Sequence, residues 1–422
     1  MSSLAVAGAA QDEAPNPGLL PVEDARARIL AQVPLLGCER VALRAACGRV
    51  TGEDVTAQLD HPPSAVSAMD GYALHAADAA VLPARLRKIG VSRAGARFGG
   101  RLEPGTCVRI FTGATVPDGA DLIAIQENAS EDGDTVEIRE VPDPGRHIRR
   151  IGLDFSKGQV CVPAGRALSA RDIGLVASCG HAEVLVRRRP RIAILSTGDE
   201  LVEPGVLPGA DQIPASNSIA LCAAVAAWGG EPVDLGIARD ETAAIAEAAD
   251  RARGADMLVT TGGASVGEHD LVQAGMGERG LAVDFWRIAM RPGKPLLFGR
   301  IGELPILAMP GNPVAALVCA LLFLRPAMNR MLGLAEVGPH FETARLGAPM
   351  KANDRREDYV RTRLEHGADG SLIAHPFTTQ DSSMLVTIAQ ADGLLRRAAF
   401  APASAAGEAV DVIRFDLAAG SL

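Results

Sequence analysis

At 422 residues the chain is longer than one ordinary hydrophobic core serves, and roughly two to four domains are expected. Its 48% hydrophobic and 22% charged content is that of a folded globular protein, which excludes dominant disorder. A net charge of −9 and 3% aromatic content argue against nucleic acid or an anionic membrane, which draw on a positive field and stacking platforms.

Residues 1–18 lack a basic segment followed by a long apolar run, so they read as a disordered leader rather than a signal peptide. Residues 19–60 open with apolar positions at helical spacing (Val22, Ala25, Ile29, Val33), then a strand-like piece near Val41–Leu43. Residues 61–154 change character, with short β-rich runs at 107–111, 122–126 and 135–139 between Pro, Gly and Asp turns. Mixed structure resumes at 155–186, with a helix expected over Ala170–Ser178. The β region 61–154 therefore reads as an insertion splitting an elongated first domain, 19–60 and 155–186.

From 187 to 337 strands and helices alternate. Strands are expected at 191–195, 233–238, 256–261, 283–290, 296–299 and 305–308. Helices are expected at 218–227, 241–253, 270–277 and 313–332. This pattern implies α/β architecture, a parallel-type sheet covered on both faces. The longest apolar run, Val314–Leu324, is about half of the roughly 20 residues needed to cross a bilayer, and reads as a buried helix. Residues 338–422 return to short strands and turns, suggesting a compact β domain. Seven scattered cysteines without a C-x-x-C suggest neither a disulfide framework nor a zinc cage, and point to a reducing, cytoplasmic compartment.

In open α/β sheets ligands bind beyond the carboxyl ends of the strands. Here those ends run into Ser196-Thr197-Gly198-Asp199-Glu200, Arg239-Asp240, Thr261-Gly262-Gly263-Ala264-Ser265, Arg291-Pro292-Gly293-Lys294-Pro295 and Pro310-Gly311-Asn312-Pro313. Glycines such as Gly198, Gly262, Gly263 and Gly311 let backbone N–H groups approach an anion, and hydroxyls add donors. Asn312 and Pro313 suit the start of a helix aimed at a ligand. Arg291 and Lys294 supply full charges. The carboxylates Glu200, Asp240 and Asp270 would repel a phosphate unless they hold Mg²⁺. Any one of these loops alone reads as ordinary turn chemistry; five on one rim do not. Two motifs are excluded: Gly275–Gly280 fits G-x-G-x-x-G but follows a helix instead of a strand, and no P-loop occurs.

Six motifs then appear in one order: Ser67–Ala73 (SAMDGYA), Phe111–Gly113 with a downstream PDGAD, Ser196–Leu201 (STGDEL), Thr261–Gly267 (TGGASVG), Pro292–Pro295 (PGKP) and Pro310–Pro313 (PGNP). Together they resemble the molybdopterin molybdenumtransferase family, which includes bacterial MoeA and the E domain of gephyrin. The likeness spans residues 19–415. It implies a molybdopterin-binding-like α/β domain, a β-barrel-like last domain, and a homodimer in which the inserted domain of one subunit faces the α/β domain of the other. It also implies a reaction: adenylylated molybdopterin and molybdate give molybdenum cofactor and AMP, with Mg²⁺.

By the same resemblance, Asp70 and Thr112 serve the cleft from the partner subunit, and Glu200, Asp240 and Asp270 are the acids of pyrophosphate cleavage and hold the metal. Thr197, Gly262, Gly263 and Ser265 help bind the pterin phosphate. Arg291, Lys294, Pro295, Arg361 and Ser382 resemble the molybdate pocket, and Arg149 and Asp154 match an R-R-x-G-x-D motif beside the cleft. Arg287 and Arg291 stand where some members have lysine, and Ser382-Ser383-Met384 stands where Ser-Gly-Met is common. Two alternatives remain open: the neighbouring molybdopterin adenylyltransferase step, and a non-catalytic scaffold. That adenylyltransferase and cofactor acceptors are the candidate partners; no nucleic acid or membrane is expected.

Overall fold

The computed structural model describes residues 19–262, 271–335 and 337–415. The chain divides into two compact units. Of the described residues, the smaller holds 40–47 and 51–186, and the larger holds 19–39, 48–50 and those from 187 to 415.

The smaller unit is built on a six-stranded sheet in the order Leu122–Ile125, Gly71–Leu74, Thr106–Ile110, Ala84–Ser92, Thr135–Ile138, Ala129–Asp132. Ala84–Ser92 and Thr106–Ile110 pair in parallel, and the other neighbours are antiparallel. Leu74, Leu86, Cys107, Val108, Leu122, Val136 and Ile138 are buried together on it. Gly71 opens its strand where a Cβ would fall 1.9 Å from the Ala124 carbonyl oxygen, so no larger residue fits. The helix expected at Ala170–Ser178 forms over those residues. A capping box starts it: Ser169 accepts from the Asp172 N–H, and Asp172 accepts from the Ser169 N–H.

In the larger unit we label β1 (Arg191–Thr197), α1 (Ser216–Ala227), β2 (Glu231–Ala238), α2 (Thr242–Arg251), β3 (Met257–Thr261), α3 (Leu271–Gly277), β4 (Leu281–Trp286), β5 (Leu297–Ile301), β6 (Leu304–Met309) and α4 (Pro313–Leu332). The sheet order is β2-β1-β3-β6-β5-β4. Along each central strand alternate residues enter opposite cores. Ile192, Ile194, Val259 and Leu307 meet α1, α4 and the helix Val22–Gln32, while Ala193, Leu195, Leu258 and Ile306 meet α2 and α3. The strands are apolar throughout because both faces are covered.

The sheet is mixed rather than parallel throughout. β1, β2, β3 and β6 are parallel, but β5 runs against both β6 and β4. Gly302 and Glu303 alone join β5 to β6, too few residues for a crossover, and Gly302 supplies the positive φ of a tight hairpin. The antiparallel turn has a consequence for the site. β4 points the same way as the parallel set, so residues 287–296 between β4 and β5 lie at the same edge as the loops after β1, β2, β3 and β6. Gly275–Gly280 ends α3 and turns into β4, with Gly280 N–H bonded to the Gly277 carbonyl.

α4 is longer than its apolar run. It continues through Arg325, Pro326 and Arg330 by way of a π-helical stretch, Ala320–Leu324, just before the proline that cannot donate. By length and composition it is the one described helix able to cross a membrane, yet 72% of its apolar window is buried inside the protein. Val314, Val318, Leu322, Phe323 and Met328 occupy the main core, which makes it a core helix.

Glu357–His366, Leu372–Pro376, Glu342–Leu346, Ala409–Arg414 and Gly393–Arg397 form a closed barrel. Glu357–His366 pairs with both Leu372–Pro376 and Gly393–Arg397, which completes the circle. The rim residues Met290–Arg291 add a short parallel ladder to Glu357 and Asp358.

Candidate active site

A cavity of about 690 Å³ opens at the carboxyl edge of the sheet. Ser196 and Thr197 end β1, and both hydroxyls are buried without a hydrogen-bond partner. Gly262 follows β3 at φ +98, where a Cβ would lie 2.2 Å from the Thr197 carbonyl oxygen; only glycine lets these two loops touch. Gly311 passes directly over Gly262, so a Cβ there would sit 3.4 Å from the Gly262 Cα.

Asn217, at the start of α1, ties the loops together. Its Nδ2 donates to Thr261 Oγ1 at 2.8 Å and to the Gly311 carbonyl at 2.7 Å. Sequence reasoning missed this residue, because a single asparagine in an ordinary helix-start position carries no pattern.

The acids gather on one side of the cavity. Asp240 and Glu200 line it, and the Asp240 N–H donates to Asp199 Oδ1 at 3.3 Å. Burial, reinforced by the charges of Asp199 and Glu200, holds the Asp240 carboxyl above the usual carboxylate range. Its Oδ1 is buried and unpartnered. Among the described residues no three His, Cys, Asp or Glu side chains already converge as a metal cage. Gly263, Ser265 and Asp270 lie outside the described residues.

On the opposite side stands the barrel loop 380–383. Asn312 takes the N-cap position of α4 but caps nothing with its side chain, which donates to Ser382 Oγ at 2.9 Å. The Ser382 carbonyl accepts from the Val314 N–H, so it occupies part of the positive helix end expected to face a ligand. Ser383 lines the cavity and donates to Asp381 Oδ1. Behind this loop Arg361 is buried, only 1% exposed, with one donor to the Asp381 carbonyl at 2.9 Å and Nε unpaired. Burial lowers its pKa, the mark of a cation short of counter-charge.

The residues of the Arg291–Pro295 loop separate. Pro295 lines the main cavity. Lys294 lines a second one, of about 330 Å³, against the barrel. Arg291 is bound to Asp358, Asp354 and Asn353, so its charge is already matched.

In the smaller unit Asp70 and Thr112 meet. Asp70 Oδ1 accepts from the Thr112 N–H at 2.7 Å and from its Oγ1 at 2.8 Å. These bonds, the backbone one foremost, hold the Asp70 carboxyl below its usual range. Arg149 is exposed on a strand paired with Val66–Ser67, beside the same segment.

Three family models match in succession: the MoeA N-terminal region (domain I and II) over residues 20–180, a probable molybdopterin-binding domain over 193–330, and the MoeA C-terminal region (domain IV) over 343–415. A molybdopterin molybdenumtransferase of Nostoc sp. is 36% identical over 368 residues, covering 84% of each chain. The chain belongs to the molybdopterin molybdenumtransferase family. A Haemophilus influenzae member is 37% identical over 76% of this chain and 81% of its own. The crystal structure of a molybdopterin biosynthesis MoeA protein from Pyrococcus horikosii superposes with a TM-score of 0.83. It is 30% identical and covers 94% of this chain and 99% of that one. Membership of the molybdenumtransferase family accounts for the mixed α/β sheet, the β-rich N-terminal region and the C-terminal barrel together.

Proposed function

We propose that this enzyme of molybdenum cofactor biosynthesis inserts molybdate-derived molybdenum into adenylylated molybdopterin with release of AMP, in the cavity at the carboxyl edge of the sheet. Transfer of molybdenum to molybdopterin follows from family membership. The finer reading rests on one observation: an acid cluster with an unpartnered oxygen faces, across one cavity, a barrel loop backed by a buried, under-compensated Arg361. That is a place for a cation beside a place for an oxyanion.

Thr197, Gly198, Gly262 and Gly311 would contact the pterin phosphate through backbone donors and the unpartnered Thr197 hydroxyl, with Gly263 and Ser265 as further members. Asn312 holds Ser382, and Ser382, Ser383, Pro295 and Arg361 would orient molybdate, with Lys294 supplying positive field; Arg291, matched by Asp358 and Asp354, would position the loop. The unpartnered Asp240 oxygen suits Mg²⁺, held by Asp240 and Glu200 with Asp270, because this ion takes a few carboxylates and keeps water or phosphate oxygens elsewhere. When bound, it supplies neutralising charge to the pyrophosphate. Asp70, Thr112 and Arg149 are assigned to the same reaction in a homodimer, and a cytoplasmic location with the adenylyltransferase as supplier completes the proposal. The adenylyltransferase step is the weaker reading, since the family match extends on both sides of the molybdopterin-binding domain.

A turnover assay with adenylylated molybdopterin decides. AMP release is expected to require both molybdate and Mg²⁺ and to collapse in Asp240→Ala. Release that is unchanged without molybdate defeats the insertion reading.

A further inference from the structure

The second cavity, about 330 Å³ and within the size range of small-ligand sites, is lined by Leu19, Lys294, Asp354, Arg355, Arg356 and Phe400. Phe400 is anomalous there on two counts. The residue is 63% exposed, so it adds little to any core. Its φ is 58°, a left-handed conformation that bulky L-residues avoid.

The neighbouring loops hold it there. The Phe400 N–H donates to the Asp354 carbonyl at 2.7 Å, and the Asn353 N–H donates to the Ala401 carbonyl. Buried Arg397 donates to Ser404 Oγ and to the carbonyls of Lys351 and Pro402. A glycine would adopt this turn without strain, so an exposed aromatic kept in it points to a use for the ring.

The charges around the ring are not all spent. Asp354, held to about 2 chiefly by its bond from Arg356, stays ionised and engages Arg356 and Arg291. Lys294 and Arg355 have no ion-pair partner among the described residues. An exposed ring flanked by two cations that no described carboxylate pairs suits a flat heterocycle bearing a phosphate, stacked on one side and charge-paired on the other.

We propose that Phe400, Arg355 and Lys294 form a docking subsite for a phosphorylated planar heterocycle, the nucleoside monophosphate part of the substrate. The proposal rests on the adenylylated-substrate reading above for its ligand, and on Phe400 for its place.

Calorimetric titration of the full chain with AMP, neopterin monophosphate, adenosine and inorganic phosphate tests it. AMP is expected to bind at least tenfold more weakly to Phe400→Ala, with inorganic phosphate unchanged and with neopterin monophosphate, whose phosphate belongs to the main cavity, bound as by the wild type. Arg355→Ala is expected to weaken AMP and inorganic phosphate but not adenosine. Phe400→Gly separates ligand binding from folding, because relief of the left-handed strain raises Tm while the affinity falls as in Phe400→Ala. The idea is overturned if AMP binds no more tightly than inorganic phosphate, if both Phe400 variants bind AMP as the wild type does, or if the pterin loses affinity in them as AMP does. Ring-dependent binding by a protein that shows no molybdate-dependent AMP release would leave this subsite standing and remove the insertion reading instead.

Discussion

Arg361→Met separates stability from ligand binding. The side chain is buried, donates to the Asp381 carbonyl at 2.9 Å and leaves Nε without an acceptor. Losing a charged hydrogen bond costs about 1.5–3 kcal/mol, and removing an unsatisfied buried donor relieves about 1–3 kcal/mol. The two nearly cancel, and methionine fills much of the same volume, as in other replacements of buried charges by hydrophobes. Tm is therefore expected to move by no more than about 5 °C. Molybdate binding is a different matter. Truncating a desolvated charge that pairs with a dianion costs about 2–5 kcal/mol, roughly 30-fold to a few thousand-fold in Kd. Isothermal titration with molybdate measures this directly, and Arg361→Lys, which keeps charge without the planar fork, is expected to fall between. A molybdate Kd within about threefold of wild type in Arg361→Met would refute the counter-charge reasoning.

Asp240→Asn is expected to raise Tm of the metal-free protein near neutral pH and to abolish any further rise on adding Mg²⁺. The sign follows from the raised folded pKa: the carboxyl's contribution is favourable below its unfolded value and is lost as pH climbs through the folded one, so wild type gains on the variant only under acid conditions. Thermal melts across that pH range, with and without Mg²⁺, check both parts. Asn217→Ala removes the two bonds joining Thr261 and Gly311, and is expected to lower kcat/KM about 10- to 100-fold in AMP release with little loss of Tm. Gly262→Ala forces a Cβ against the Thr197 carbonyl in a left-handed turn; denaturant unfolding is expected to show a loss of at least about 2 kcal/mol.

Much of the fold was legible because burial leaves a period in the sequence. The helix Val22–Gln32 is marked by apolar positions at helical spacing, α4 by its apolar run behind Asn312-Pro313, and the central strands by short apolar runs. The direction of β5 was less legible, since an antiparallel strand buried on both faces reads like a parallel one; the two-residue Gly302-Glu303 link was its only sign. At the site, sequence order located the loops, and β5's reversal explains how the Lys294 loop joins their edge. Asn217 and the split of Pro295 and Lys294 between two cavities depend on side-chain reach, which no motif encodes. The two adjacent serines Ser382 and Ser383 likewise differ only in their partners: one hydroxyl accepts from Asn312, the other donates to Asp381.

The ladder between Met290–Arg291 and Glu357–Asp358 has a bearing on how this chain is taken apart. A cut near residue 338 looks like a natural seam, yet it severs a β-pairing whose two halves lie on opposite sides of the cut. A barrel expressed alone would present raw backbone donors and acceptors where residues 290–291 had been, and the remaining α/β piece would carry a loose Lys294 loop. For any engineered fusion or domain exchange, the transferable block therefore runs from β1 through the last barrel strand.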